Sequence, residues 1–228
     1  MKKIKHGIIY LRNIKKACIM WVSFFFKKPR IASSYIFIWI RSIIYPENRY
    51  PLPWMTFGAI DWLKKNATKK YKVFEWGSGG SSLYWAKNVE YVCSVEHNAQ
   101  WYNQVAKLLA GSGFNNYDYK LMQPKYDDDK DNKISDFTEK NFEMYCRTIE
   151  SFPDNYFDLI IIDGEARLDC ARLAMEKIKD SGHIILDNAE RKEYLPIFDM
   201  MKDWKKTVFR GPGLYNLYSW DTAIFSRK

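Results

Sequence analysis

The sequence predicts an α/β domain: a doubly wound, mostly parallel sheet of seven strands with a terminal antiparallel hairpin, preceded by an N-terminal helical arm. Three observations carry that prediction. From Tyr71 onward short apolar runs alternate with amphipathic stretches, the signature of strand–helix units. A glycine-rich turn follows the first of those runs directly. All of the net positive charge lies in the first fifty residues, which separates an arm, 1–50, from a body, 51–228.

The arm comes first. Residues 1–50 hold eleven Lys or Arg against the single acid Glu47, whereas the body holds 25 basic and 26 acidic residues. A nucleic-acid grip through the main domain needs a basic stripe there, so that partner class is disfavoured. With 47% apolar and 28% charged residues the chain can build a core, and wholesale disorder is excluded. The apolar runs Ile19–Val22 with Phe24–Phe26, and Ile36–Ile40, are parted by Lys27, Lys28 and Arg30, and Arg41 cuts the second. Neither reaches the roughly 18–20 residues a membrane-spanning helix needs. Lys15 and Lys16 interrupt the first run and no small-residue cleavage site follows, which argues against a secretory signal. Two amphipathic helices are expected, packed on the body as a lid or in a homodimer, or docked through residues 1–45 on an anionic membrane face, with nucleic acid the least favoured partner of the arm. Cys18, Cys93, Cys146 and Cys170 are far apart, as in reduced thiols of a cytoplasmic protein, and lack zinc-site spacing. The expected location is the cytoplasm, with the arm's membrane alternative placing it at the inner membrane face.

The body follows in order. Tyr45 to Pro53 reads as a Pro-rich connector, and Trp54 to Lys65 as a helix. Strands are predicted near 71–76, 90–96, 117–123, 157–163 and 183–188, with helices near 80–88, 99–111, 167–179 and 191–204. The run Phe157–Ile162 has the β-branched continuity of a strand buried on both faces. Residues 124–150 read as a polar loop. Its acidic patch, Asp127–Lys133, lacks the Gly and terminal Glu of a calcium loop. Thr207–Arg210, the turn Gly211-Pro212-Gly213, and Ser219–Phe225 predict the closing hairpin.

The chemistry lies at strand ends. Lys72-Val73-Phe74-Glu75 runs into Gly77-Ser78-Gly79-Gly80 and then a helix, a turn that lets backbone approach a ligand and offers free amides. Glu96 ends the next strand, where a carboxylate can accept both hydroxyls of a ribose. Together these point to an adenosine-containing cofactor. Ser82 stands where a dinucleotide fingerprint needs a third glycine, and Glu75 is suited to the cationic end of S-adenosylmethionine or to organising the loop. His97 is expected at the adenine edge. His183 and His6 carry no predicted role in the chemistry. Trp76, Trp85 and Trp101 read as core or pocket wall.

Glu75-x-Gly77-x-Gly79 with Glu96 resembles the first two motifs of class I S-adenosylmethionine-dependent methyltransferases. Asp158–Gly164 is similar to that family's fourth strand and Ser181–Asn188 to its fifth. More narrowly, Phe74–Gly79, Ser94–His97, Asp163-Gly164 with Arg167 and Cys170, Asp187-Asn188, and Trp220-x-Thr222-x-Ile224-Phe225 resemble a bacterial group of unknown substrate. The resemblance spans roughly 54–226, and Ser81 replaces a glycine common in the motif. It implies cofactor binding by Glu75, Gly77, Ser78, Gly79, Glu96 and His97, with Asp163 and Arg167 at the catalytic rim. Asp163, Asp187 and Asn188 are spaced like the magnesium ligands of catechol-type O-methyltransferases. Arg167 stands near that family's lysine base, and arginine is a poor base but can hold an anion.

The resulting expectation is methyl transfer to an oxygen of a small molecule or glycan. Two rivals use the same architecture: aminopropyl transfer or nicotinamide-dependent reduction, and a catalytically silent adenosyl-binding scaffold attached through the basic arm.

Overall fold

Strands β1 (Lys72–Trp76), β2 (Tyr91–Glu96), β3 (Tyr117–Leu121), β4 (Phe157–Ile162), β5 (Ile178–Leu186), β6 (Lys205–Gly211) and β7 (Trp220–Ser226) form one sheet in the computed structural model. It describes residues 2–45, 50–125 and 141–228, with side chains from Asn13 onward. The acidic patch 127–133 and residues 46–49 of the Tyr45 to Pro53 connector lie outside the described residues, as does the side chain of His6. The strand order is β3-β2-β1-β4-β5-β7-β6. β1 to β5 pair in parallel, β7 pairs antiparallel with β5, and β6 closes the edge antiparallel to β7. The predicted sheet and hairpin are both present.

Alternation along each strand sorts side chains between two faces. Phe74, Trp76, Ile160, Ile162, Ile184 and Leu186 pack into one core layer under α7 (Arg167–Lys177) and α8 (Leu195–Met200). Val73, Val92, Leu159, Ile161 and Ile185 pack into the other, under α3 (Phe57–Asn66), α4 (Gly80–Asn88) and α5 (Ala99–Ala110). The arm forms α1 (Lys2–Lys27) and α2 (Pro29–Ile44), and lies over this second layer. Trp21 meets Phe57 at 5.9 Å between ring centroids, and Tyr35 stacks on Phe57 at 4.6 Å. α2 also grips the β6–β7 loop: Trp39 Nε1 donates to the Asn216 carbonyl at 2.9 Å, and Tyr215 N donates to Ser42 Oγ at 3.0 Å.

Four elements depart from the sequence expectation. β5 starts at Ile178, because Ile178 pairs with Phe157 across a register shift and so extends the strand backward past Gly182. The helix expected over 191–204 shrinks to α8 after a 3₁₀ turn, Lys192–Tyr194. Pro196 sits in its first turn, where a missing amide is harmless. α3 begins at Phe57 rather than Trp54, since Thr56 is bridged to Gly213. Finally, the end of the 124–150 segment is not a polar loop. Glu143–Arg147 forms α6 and Thr148–Ser151 a 3₁₀ turn, and Phe142, Tyr145 and Ile149 are buried in the first core layer.

Candidate active site

In a parallel sheet the C-terminal strand ends share one rim, and a crevice opens where the strand order reverses. Here that point lies between β1 and β4, and a cavity of about 510 Å³ occupies it, within the usual range of small-molecule sites. Gly77 and Ser78 after β1, Glu96 to Asn98 at the end of β2, Asp163 to Glu165 after β4, and Asp187 and Asn188 after β5 line it. Eight of the ten candidate site residues therefore line one cavity. Glu75 and Gly79 do not line it.

The glycine turn is dictated sterically. Gly77 has φ +90°, and a Cβ there would lie 3.0 Å from the backbone of Asp163 and Gly164. A Cβ at Gly80 would overlap the Tyr50 carbonyl oxygen. Glu75 sits beneath this turn, 1% exposed. Its Oε1 accepts from Ser82 Oγ and, at 2.6 Å, from Ser94 Oγ, its register partner on β2. Ser82 Oγ in turn accepts from Gly79 N at 3.3 Å. Glu75 thus ties β1, β2 and α4 together through serine hydroxyls. Burial pushes its carboxyl up to about 7 against the opposing pull of those hydroxyls.

Glu96 is 3% exposed at the cavity wall. Oε1 accepts the amides of His97 and Asn98, both at 2.9 Å, and Oε2 accepts Ser78 Oγ at 2.7 Å and Ser78 N at 3.3 Å. An ionised carboxylate has about four lone-pair positions, so a sugar diol reaches this one only by displacing a present donor. Ser78 Oγ is the replaceable one, because its hydroxyl also lies 2.8 Å from Tyr119 Oη. His97 packs edge-on against Phe142 and Tyr145, and Trp101 closes the turn by donating Nε1–H to the Ser78 carbonyl at 2.8 Å.

At the other end, Asp163 follows β4 and is half-buried. Burial raises its carboxyl to about 6, with Arg167 pulling the other way and Glu75 adding to the rise. Arg167 is buried at the start of α7 and works as a clasp. Nε donates to the Gly164 carbonyl at 2.7 Å, Nη1 to the Asp187 carbonyl, and Nη2 to the Asp163 carbonyl at 3.0 Å and its carboxylate at 3.3 Å. Gly164 is required between them, since a Cβ there would overlap the Tyr145 hydroxyl oxygen.

No protein-family model matches the chain, and no curated protein does. Solved structures do. The precorrin-6y C5,15-methyltransferase of Geobacter metallireducens is 13% identical with a TM-score of 0.53, over 75% of this chain and 87% of that one. An rRNA methylase of Streptococcus thermophilus is 10% identical with a TM-score of 0.52, over 74% and 93%. A Streptococcus mutans protein solved in complex with SAH is 11% identical with a TM-score of 0.52, over 72% and 93%. The fold is that of class I S-adenosylmethionine-dependent methyltransferases. At these identities the likeness is one of fold alone, and the chemistry rests on the residues at the rim.

The structure favours the loop-organising reading of Glu75 and changes the roles expected of Arg167 and of the oxygen set. Glu75 organises the turn from below rather than standing on the cavity wall. Arg167 faces four protein acceptors, so an incoming anion would have to displace them. The oxygen set Asp163, Asp187 and Asn188 does not fit a magnesium ion as arranged. Both Asp187 oxygens accept Trp220 Nε1–H, at 3.0 and 3.1 Å, and Oδ1 also accepts Thr222 Oγ1 at 2.6 Å, while Asp163 Oδ1 faces Arg167. A cation at Asp187 would meet an N–H in its path. Among the described residues no cluster of three or more His, Cys, Asp or Glu is placed to hold a metal.

Sequence reasoning also missed part of the wall: Trp54, Arg191, Asn216 and Tyr218. Trp54 and Tyr218 are exposed aromatics at 47% and 60%. Trp220 appeared in a quoted motif, but its bond to Asp187 joins residues 33 positions apart, and no local pattern reports that.

Proposed function

We propose that this chain transfers a methyl group from S-adenosylmethionine to a hydroxyl oxygen of a small-molecule or glycan acceptor. One observation carries the reading: a single cavity joins the Ser78–Glu96 end, suited to a nucleoside sugar, to a half-buried carboxylate, Asp163, whose pKa is raised to about 6. The residues fit the cofactor in two respects. A side chain is excluded at Gly77 and at Gly80, which keeps the turn tight, and Glu96 carries one donor, the Ser78 hydroxyl, that a ribose hydroxyl can replace. The chemistry that a bound cofactor supplies is an electrophilic methyl on sulfur. The protein's own part is to orient the acceptor and to take its proton.

Asp163 is the base in this reading. A carboxyl poised near 6 is largely ionised at neutral pH yet accepts a proton better than an ordinary aspartate. Arg167 holds it from behind and is a positioning residue. Trp54 and Tyr218, with Asn188, Arg191 and Asn216, surround the acceptor end with flat apolar faces and planar polar groups, a combination suited to a sugar or aromatic diol.

Isothermal titration separates this reading from its rivals. S-adenosylmethionine should bind in preference to its decarboxylated form and to NAD; preference for either of the others overturns methyl transfer. In an acceptor screen that follows S-adenosylhomocysteine release, Asp163→Asn should lower turnover roughly 100-fold or more with cofactor affinity unchanged. Wild-type turnover in that variant removes Asp163 from the chemistry.

A further inference from the structure

The N-terminal hairpin carries two apolar faces, and the body covers one. Ala17, Trp21 and Phe24 of α1, with Ala32 and Tyr35 of α2, are buried against α3 and the β6–β7 edge. On the far side of α1, Ile19, Val22 and Phe26 recur at i, i+3 and i+7, and are 62%, 57% and 83% exposed. Phe37, Ile40 and Ile44 repeat that spacing on α2. Of the fourteen large apolar side chains exposed among the described residues, eight fall between Ile19 and Tyr45. Such clustering marks an interaction surface rather than scattered exposure.

The charge names the occupant. Lys15, Lys16, Lys27, Lys28, Arg30 and Arg41 are all exposed, and no Asp or Glu occurs before Glu47. A second copy would bring the same uncompensated positive charge to the contact. A nucleic acid would match the charge but leave Phe26 and Phe37 in water. Anionic lipid satisfies both, because headgroups take the cations and the acyl boundary takes the apolar stripe. No described helix is long and apolar enough to cross a membrane, so the mode is to lie on the surface.

We propose that the α1–α2 hairpin docks on an anionic lipid bilayer, with Ile19, Val22, Phe26, Phe37 and Ile40 entering the interface and Lys27, Lys28, Arg30 and Arg41 over the headgroup phosphates. This stands independently of the methyl-transfer reading. The test is co-sedimentation of the full chain with vesicles of phosphatidylcholine alone and of equal parts phosphatidylcholine and phosphatidylglycerol. Binding is expected to the mixed vesicles, weakening as salt rises. Phe26→Asp with Phe37→Asp should reduce it at least tenfold, and Lys27→Gln with Arg30→Gln about tenfold, both with unfolding transitions unchanged because these side chains are exposed. Failure to bind the mixed vesicles overturns the proposal, as does equal, salt-insensitive binding to both kinds. So does light scattering that shows a dimer split by Phe26→Asp in a protein that ignores lipid, or preferential retention on duplex DNA.

Discussion

Glu96 and Asp187 are both buried carboxylates at the C-terminal ends of parallel strands, and both line the same cavity. Their neighbours make them different instruments. Glu96 accepts two adjacent backbone amides and a hydroxyl that has a second partner in Tyr119, so part of its shell can be exchanged for a ligand. Asp187 accepts a rigid, fully buried indole N–H and the hydroxyl of Thr222, both from β7, and none of these donors has freedom to leave. Burial, reinforced by the nearby Asp163, holds Asp187 well above the usual carboxylate range. An acid at a strand end is thus a ligand acceptor or a structural clasp according to whether its donors can be displaced.

Substitution sharpens that contrast, and the largest effect is expected at Glu96. Glu96→Ala should weaken S-adenosylmethionine binding about 100-fold, whereas Ser78→Ala, which removes the competing hydroxyl, should leave it unchanged or tighter. Titration calorimetry reads both, and equal losses in the two variants would mean that Ser78 and Glu96 bind the cofactor as a unit. A smaller, purely structural effect is expected at the other end. Asp187→Ala strands the Trp220 and Thr222 donors and should cost about 2–3 kcal/mol in urea unfolding, while Asp187→Asn, which keeps an acceptor, should cost about 1 kcal/mol or less. Lost turnover in a stable Asp187→Asn protein would instead restore Asp187 to the chemistry.

The smallest effect is a pH slope that tests the third buried acid, Glu75. Its folded pKa of about 7 lies above the ordinary 4.5, so the native state holds the proton more tightly than the unfolded chain does. Stability from this group is therefore fully present below about 4.5 and is lost as pH rises toward about 7. Glu75→Gln should flatten that segment of the wild-type profile, read by urea unfolding at a series of pH values across it. A profile unchanged by the substitution would show that Glu75 binds its proton equally well in the folded and unfolded chains.

What could be read ahead of the structure was what depends on near neighbours. Val73-Phe74 and Leu159-Ile160-Ile161-Ile162 announce buried strands by their own composition, and the Gly77–Gly80 turn announces a close approach of backbone. The position of Glu96 at a strand end is legible from the run before it, and the residues after β4 and β5 follow by the same logic. Direction of a side chain was harder. Glu75 alternates to the same face as Val73, under α4, so its serine partners are set by packing between β1, β2 and α4 rather than by the motif. Arg167 reads as a free cation, yet three carbonyls from two different loops converge on it. Phe142 to Ile149 looked polar because the neighbouring residues are, and only the layer they fill reveals them as core.

The grip of Trp39 and Ser42 on the Asn216 carbonyl and the Tyr215 amide makes the hairpin a buttress for one side of the cavity. Cutting the chain after residue 45 would uncover Phe57 and unmoor the stretch bearing Asn216 and Tyr218, so such a fragment would lose the shape of that side of the cavity. Single changes on the outward stripe keep the buttress standing.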